Sequence, residues 1–239
     1  MDHHNRLLAS LSGPDCELLE PHLEPIDLPV GLVLAEPGSV IDHAVFVEIG
    51  LCSVVSNLSE GGRIEIGLFG RDGMAIPALM LGSDTVPFQI FMQVAGRGHR
   101  IPVPVLRAAA EASTSLRGLL LRYAQTFLVQ VAQTAVANAG ATAEERLARW
   151  LLMYHDRQDG DDLSVTHEFL SIMLGVRRPT VTVAIHTLEG EGLIRARRGR
   201  IRVLSREGLE EAAGQIYGPA EDEYERLIGP LRARQRMLA

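Results

Sequence analysis

Residues 163–203 constrain the chain more than any other stretch, because their turn signals and apolar spacing admit few arrangements. The segment opens Leu163-Ser164-Val165-Thr166, and Thr166 predicts a helix N-cap whose hydroxyl accepts an amide of the first turn. Phe169, Leu170, Met173 and Leu174 recur at helical spacing and mark one buried face on a short helix. Gly175 stops that helix where a left-handed backbone costs least. Pro179 suits the first turn of a second helix, with Val181, Ala184, Ile185 and Leu188 on its inner face. Between them Arg178, Thr180, Thr182 and His186 are left to donate hydrogen bonds outward. Two helices around a tight glycine turn form a helix-turn-helix, the unit whose second helix enters a DNA major groove.

The residues that follow extend the pattern. Ile194, Ala196, Ile201 and Val203 alternate with arginines around Gly199, which predicts a short hairpin with one packed face and one face of guanidinium groups. Residues 177–206 hold eight arginines against two acids, in a chain whose net charge is −7. The imbalance is local: residues 1–139 carry eight arginines and fourteen acids, residues 140–206 eleven and nine, and residues 207–239 four and seven. A basic patch on an acidic chain is the electrostatic footprint of nucleic-acid binding. The plainer alternative is a generic three-helix domain with a solvated charged wing, but turn, helix and wing occur here in the order a DNA reader needs.

Leu174-Gly175-Val176-Arg177-Arg178-Pro179-Thr180-Val181-Thr182, followed by Leu188-Glu189-Gly190-Glu191-Gly192-Leu193-Ile194, resembles the winged helix of the Crp/Fnr transcription regulators. The preceding half fits the same family. From Ile26 onward, short apolar runs such as Gly31-Leu32-Val33-Leu34, Ala44-Val45-Phe46-Val47 and Ile64-Glu65-Ile66-Gly67-Leu68 are punctuated by glycine and proline. Turn signals fall at Pro37-Gly38, Gly50, Gly61-Gly62, Gly70, Gly73, Gly82 and Gly96, which predicts an antiparallel sandwich or barrel. That order resembles the effector domain of the same regulators, a jelly roll or double-stranded β-helix. The resemblance covers about residues 7–205.

The expected organisation is α+β, in four parts. Residues 1–113 form a cyclic-nucleotide-binding-like effector domain, 114–138 a dimerisation helix, 139–205 a winged helix-turn-helix and 206–239 a helical extension. Glycine and proline thin out from about Pro104 to Asn138, where a long helix carries Leu116, Leu119, Leu120, Tyr123, Phe127, Val131, Thr134 and Val136 on an apolar stripe. Leu116, Tyr123, Gln130 and Ala137 repeat every seven residues, as do Leu120, Phe127 and Thr134, which is coiled-coil spacing. The plainer alternative is a long helix packed only on its own barrel; the resemblance favours a dimer helix, with Leu116, Leu120, Tyr123, Phe127, Val131 and Thr134 as its face. Asn138-Ala139-Gly140 ends it and reads as a hinge; Thr142 caps the next helix.

The resemblance also implies partners and a ligand site. Partners are double-stranded DNA, a second copy of the chain, RNA polymerase if the regulator activates, and an unidentified small-molecule effector. Arg177, Arg178, Thr180, Thr182, His186, Arg197, Arg198 and Arg200 are the expected DNA contacts. The family's base-reading arginine, glutamate and later arginine fall on Arg178, Pro179 and Val183, so only the first keeps its chemistry and the half-site should differ from the family consensus. Members that bind cyclic nucleotides hold the ribose with a glutamate and the phosphate with an arginine, at about residues 70–89. A buried phosphate demands such a charge-assisted partner. Residues 73–89 contain neither, and their one charge, Asp84, would repel a phosphate.

Other chemistries find little support in the sequence. Cys16 and Cys52 are too few for a disulfide scaffold or a four-cysteine cluster, and they suit a reducing cytosol. His43 precedes Glu48 as in a cupin metal site, but position 45 is Val45 and His99 lacks the expected neighbours, so no metal or other cofactor is expected. There is no nucleophile-elbow or phosphate-loop context, and an enzyme is not expected. The N-terminal residues lack a signal-peptide profile, and no apolar run reaches membrane-spanning length, which points to the cytoplasm and no membrane partner. The alternative to a transcription regulator is a ligand-binding or adaptor protein whose winged helix docks another protein.

Overall fold

The computed structural model of the chain describes residues 3–57 and 62–231. Of the turn expected at Gly61-Gly62, Gly61 lies outside the described residues, as do residues 232–239 of the C-terminal extension. Two short helices come first, α1 (Arg6–Ala9) and α2 (Gly13–Leu19). Asn5 caps α1 by accepting the Leu8 amide at 3.0 Å, and its side-chain amide donates to the carbonyls of Val47 and Gly73. That pins the N-terminal segment to the sheet that follows.

Six strands form one antiparallel sheet: β1 (Glu24–Leu28), β2 (Val33–Ala35), β3 (His43–Asn57), β4 (Arg63–Phe69), β5 (Met74–Ala75) and β6 (Gln89–Pro102). Their order is β1-β6-β3-β4, with β2 paired to β6 and β5 to β3. The sheet curls as a jelly roll around Phe46, Val54, Phe69, Met74, Ile90, Met92 and Ile101, all buried. The two long strands bend through three register shifts between Val47 and Cys52, and bulges of this kind tighten local twist.

Two helices then replace the single one expected from about Pro104: α3 (Val103–Ala112) and α4 (Thr114–Gly140). The break falls at Ser113, whose hydroxyl accepts the Leu116 amide at 3.2 Å and so caps α4. Ser113 and Ser115 also donate to the Asp15 carboxylate of α2, which locks the corner. The helix runs through the expected hinge to Gly140 and ends at Ala141.

The largest correction concerns the face of α4. Leu116, Leu120 and Tyr123 are at most 1 % exposed, because they pack into the jelly roll of their own chain. Tyr123 passes over Gly73, where any Cβ would overlap its ring, and donates its hydroxyl to the Met74 carbonyl at 3.0 Å. Phe127 stacks on Phe69 at 4.4 Å between centroids, and Val131 and Thr134 are half-buried on the same side. The proposed dimer face is therefore the helix's own core face. Its solvent side instead shows Leu121, Gln125, Leu128, Ala132, Ala135 and Ala139, separated alternately by four and three residues.

The remaining elements are α5 (Ala143–His155), β7 (Asp162–Ser164), α6 (His167–Met173), α7 (Arg178–Gly190), β8 (Ile194–Arg197), β9 (Arg200–Val203), α8 (Arg206–Ala213) and α9 (Pro219–Leu227). Thr142 and Glu145 close a capping box on α5. A second core joins Leu51, Val55, Leu68 and Phe91 of the roll to Leu147, Trp150, Leu151, Leu170 and Val181. Polar contacts also form at this junction. Arg157 donates to Asp72 and to the Met153 carbonyl, both at 2.8 Å, and Arg71 donates to Asp159 at 2.7 Å. Asp72 and its surroundings hold the Arg157 guanidinium above its ordinary range despite desolvation that opposes the charge. Among the described residues no helix is long and apolar enough to cross a membrane.

Candidate nucleic-acid interface

The interface is built on α6, the Gly175 turn and α7. Thr166 accepts the Phe169 amide at 3.2 Å, as an N-cap should. Gly175 takes φ +61, and a side chain there would also press on Ile64 of β4. Arg146 of α5 donates to the Leu174 carbonyl at 2.8 Å and so satisfies the end of α6. Arg177 stands at the N-cap of α7 without a side-chain cap bond, with Pro179 in the first turn. The amides of that turn and the helix dipole therefore add to the local attraction for an anion.

Val181, Ala184, Ile185 and Leu188 are buried, so the helix shows one defined outer side. Arg177, Arg178, Pro179, Thr180, Val183, His186 and Thr187 are exposed on it. Thr182 is not at its centre. Its hydroxyl donates back to the Arg178 carbonyl at 3.1 Å and lies 3.4 Å from His167 Nδ1, which leaves it half-buried at the edge. Val183 occupies the middle, 59 % exposed.

The wing is a three-stranded sheet in the order β7-β9-β8, one strand more than expected, because residues 162–164 pair with β9. Ile194 faces Val203 and Ala196 faces Ile201 on the packed side; Arg195 faces Arg202 and Arg197 faces Arg200 on the solvent side. Arg198 and Gly199 form the tip, with Gly199 at φ +72. Arg195 and Arg202 complete the basic face and were missing from the residues singled out by sequence, although their alternation with apolar neighbours signals them. Like charges directly opposite across a ladder repel. Among the described residues, one carboxylate lies within 4.0 Å of these four guanidinium groups: Asp162, at that distance from Arg202. Phosphate oxygens are the ligands that turn this repulsion into attraction.

A second concavity lies between α4 and the roll. It measures about 420 Å³ and is lined by Phe69, Ile76, Phe88, Leu121, Phe127 and Leu128, among other apolar side chains, with Gln125 as its one polar side chain. The segment 73–89 forms its floor, and Asp84 there is already paired with Arg107 of α3 at 2.5 Å. Arg107 also donates to the Leu79 and Ser83 carbonyls, so its guanidinium is committed to holding this segment. His43 sits half-buried at the start of β3, opposite Pro102. Glu48 and His99 do converge, and the third member of their cluster is His3, 45 residues before Glu48.

An exposed α7 and a basic wing, joined to a jelly roll by one long helix, define the class: a winged helix-turn-helix protein with an N-terminal jelly roll. Comparison with known proteins narrows the class. Residues 145–212 match the Crp-like helix-turn-helix domain. A transcriptional regulator of the Crp/Fnr family from Eubacterium rectale superposes with a TM-score of 0.66 at 19 % identity, over 88 % of this chain and 98 % of that one. FixK2 from Bradyrhizobium japonicum gives a TM-score of 0.69 at 15 % identity, over 80 % and 98 % of the two chains. The c-di-GMP responsive global regulator CLP of Xanthomonas campestris gives 0.64 at 17 %, over 81 % and 100 %. A search of curated proteins by sequence finds no match. The chain carries a Crp-like helix-turn-helix domain and shares the fold of these Crp/Fnr-family structures.

Proposed function

We propose that the chain works as a homodimer on a pseudo-palindromic DNA site, reading bases with α7 and gripping phosphates with the wing. The observation that carries this is the cross-strand set Arg195, Arg197, Arg200 and Arg202 on one exposed face, beside the open first turn of α7. Within the helix, Arg178 and His186 reach base edges, and Val183 meets a thymine methyl where the family commonly places an arginine. Arg177, Thr180, Arg197, Arg198 and Arg200 hold the backbone, and Thr182 supports Arg178 from the side.

Leu121, Gln125, Leu128, Ala132, Ala135 and Ala139 supply the dimer seam. Their alternation of four and three residues is a heptad, and the three alanines of its second half let two helices approach closely there. Two recognition helices then lie about one DNA turn apart, roughly 34 Å.

The effector cavity takes an apolar ligand and not a cyclic nucleotide. Among the described residues its walls offer no cation to a phosphate, and the nearby Arg107 is engaged with Asp84. A mobility-shift assay on genomic fragments from the native host tests the main claim. Specific retardation supports it, while retention of a protein partner with no DNA binding would favour the adaptor reading.

A further inference from the structure

A cavity of about 470 Å³ with a mixed polar and apolar lining opens where the N-terminal segment meets β1, β3 and β6. His3, Glu48 and His99 converge on it, with one ligating atom each, all within 4.8 Å of one another. His3 Nδ1 lies 3.0 Å from Glu48 Oε1, and His99 Nδ1 lies 3.3 Å from the same oxygen. Metal–nitrogen and metal–oxygen bonds of about 2.0–2.2 Å put neighbouring ligands roughly 3.0–3.5 Å apart. The two short edges of the triangle therefore already have the size a metal requires.

The orientation of His99 is the second observation. Its Nδ1 is shielded from solvent and makes no hydrogen bond, although the Glu48 oxygen is within reach. A buried ring nitrogen without a partner is costly in an ordinary core. Here its neighbour is the Glu48 carboxylate oxygen at 3.3 Å, a spacing that two ligands of one ion also take. Glu48 is itself buried, and its other oxygen accepts the Asn5 amide at 2.8 Å, which fixes the carboxylate. His3 Nε2 looks toward Glu20 at 3.9 Å, the kind of outer carboxylate that orients a ligating imidazole.

We propose that His3, Glu48 and His99 bind a divalent transition metal of borderline softness, of which Zn²⁺ is the type. Two imidazoles and one carboxylate suit such an ion and discriminate against Mg²⁺ and Ca²⁺, which prefer all-oxygen shells. The remaining coordination positions face the open cavity, where water or an exchangeable anion completes the shell. The metal ties the N-terminal segment to β3 and β6 at a place well apart from the apolar effector cavity, whose lining it does not share.

The test uses the full chain without an affinity tag, stripped with a chelator. Titration with Co²⁺ should give one equivalent of visible ligand-field absorption, displaced by one equivalent of Zn²⁺, and Zn²⁺ alone should raise the melting temperature. His3→Ala and His99→Ala should each weaken Zn²⁺ binding by roughly tenfold or more. Glu48→Gln should do the same while keeping an acceptor for the Asn5 amide, and His43→Ala should bind as the parent does. Absence of stoichiometric binding in the parent chain at micromolar Zn²⁺ overturns the proposal. So does binding that is unchanged in both histidine variants.

Discussion

Trp150 of α5 donates its indole N–H to a Glu65 carboxylate oxygen on β4 at 2.9 Å, across the junction between the jelly roll and the winged unit. Both side chains are buried. Burial pushes the Glu65 carboxyl up from 4.5 to about 8, more than its hydrogen bonds and neighbouring arginines pull it down. The folded form therefore holds this proton more tightly than the unfolded chain does. The resulting stability is complete below pH 4.5 and is lost as pH rises through about 8. Glu65→Gln keeps an acceptor for Trp150 and cannot ionise, so denaturant melts should show a flatter profile from pH 5 to 8 and a gain of about 1–3 kcal/mol near pH 8. An identical decline in parent and variant would place the titrating group elsewhere.

The Arg157–Asp72 pair, at 2.8 Å and almost fully buried, should behave as a latch of another kind. Arg157→Met strands a buried carboxylate and should cost about 3–5 kcal/mol of stability in urea. Asp72→Asn with Arg157→Met should recover part of the loss. A double variant no better than the single one contradicts the pairing.

The faces of α4 make opposite predictions. Leu121→Glu with Leu128→Glu should give folded monomers by light scattering, since Leu128 is 62 % exposed and Leu121 37 %. Leu120→Glu with Tyr123→Glu should unfold the roll, because two charges would enter its core at several kcal/mol each. A Leu121/Leu128 variant that remains dimeric would move the interface elsewhere.

Calorimetry with cyclic AMP and cyclic GMP should show no binding below millimolar concentrations. Among the described residues, the lining of the cavity between α4 and the roll gives a phosphate no cation. Sub-millimolar affinity for either nucleotide would refute the proposed effector chemistry.

The winged unit was legible in the sequence because its rules are local. The Thr166 cap, the Gly175 turn, Pro179 in the first turn and the alternation around Gly199 each act within a few residues. Longer-range relations were not legible. The break at Ser113 depends on Asp15, 98 residues away in sequence. On α4 two sets of heptads coexist, and periodicity alone selects the more apolar one, which the roll buries. The exposed set of Leu, Gln and Ala is less hydrophobic, and only burial separates the two. Thr182 lies at the right helical spacing but turns its hydroxyl back to Arg178. His3 joins Glu48 and His99 only through tertiary folding, and no spacing rule links positions 3, 48 and 99.

Binding-site selection with the parent chain, Arg178→Ala and Arg198→Ala reads out DNA recognition by α7 and the wing. The parent should enrich an inverted repeat whose half-sites are centred about one helical turn apart. Arg178→Ala should lose about 1–3 kcal/mol and relax one base position in each half-site. Arg198→Ala should weaken all sequences alike and reduce the salt dependence by about one phosphate. Enrichment of no sequence by the parent chain, or a base preference altered by Arg198→Ala and untouched by Arg178→Ala, would contradict the account.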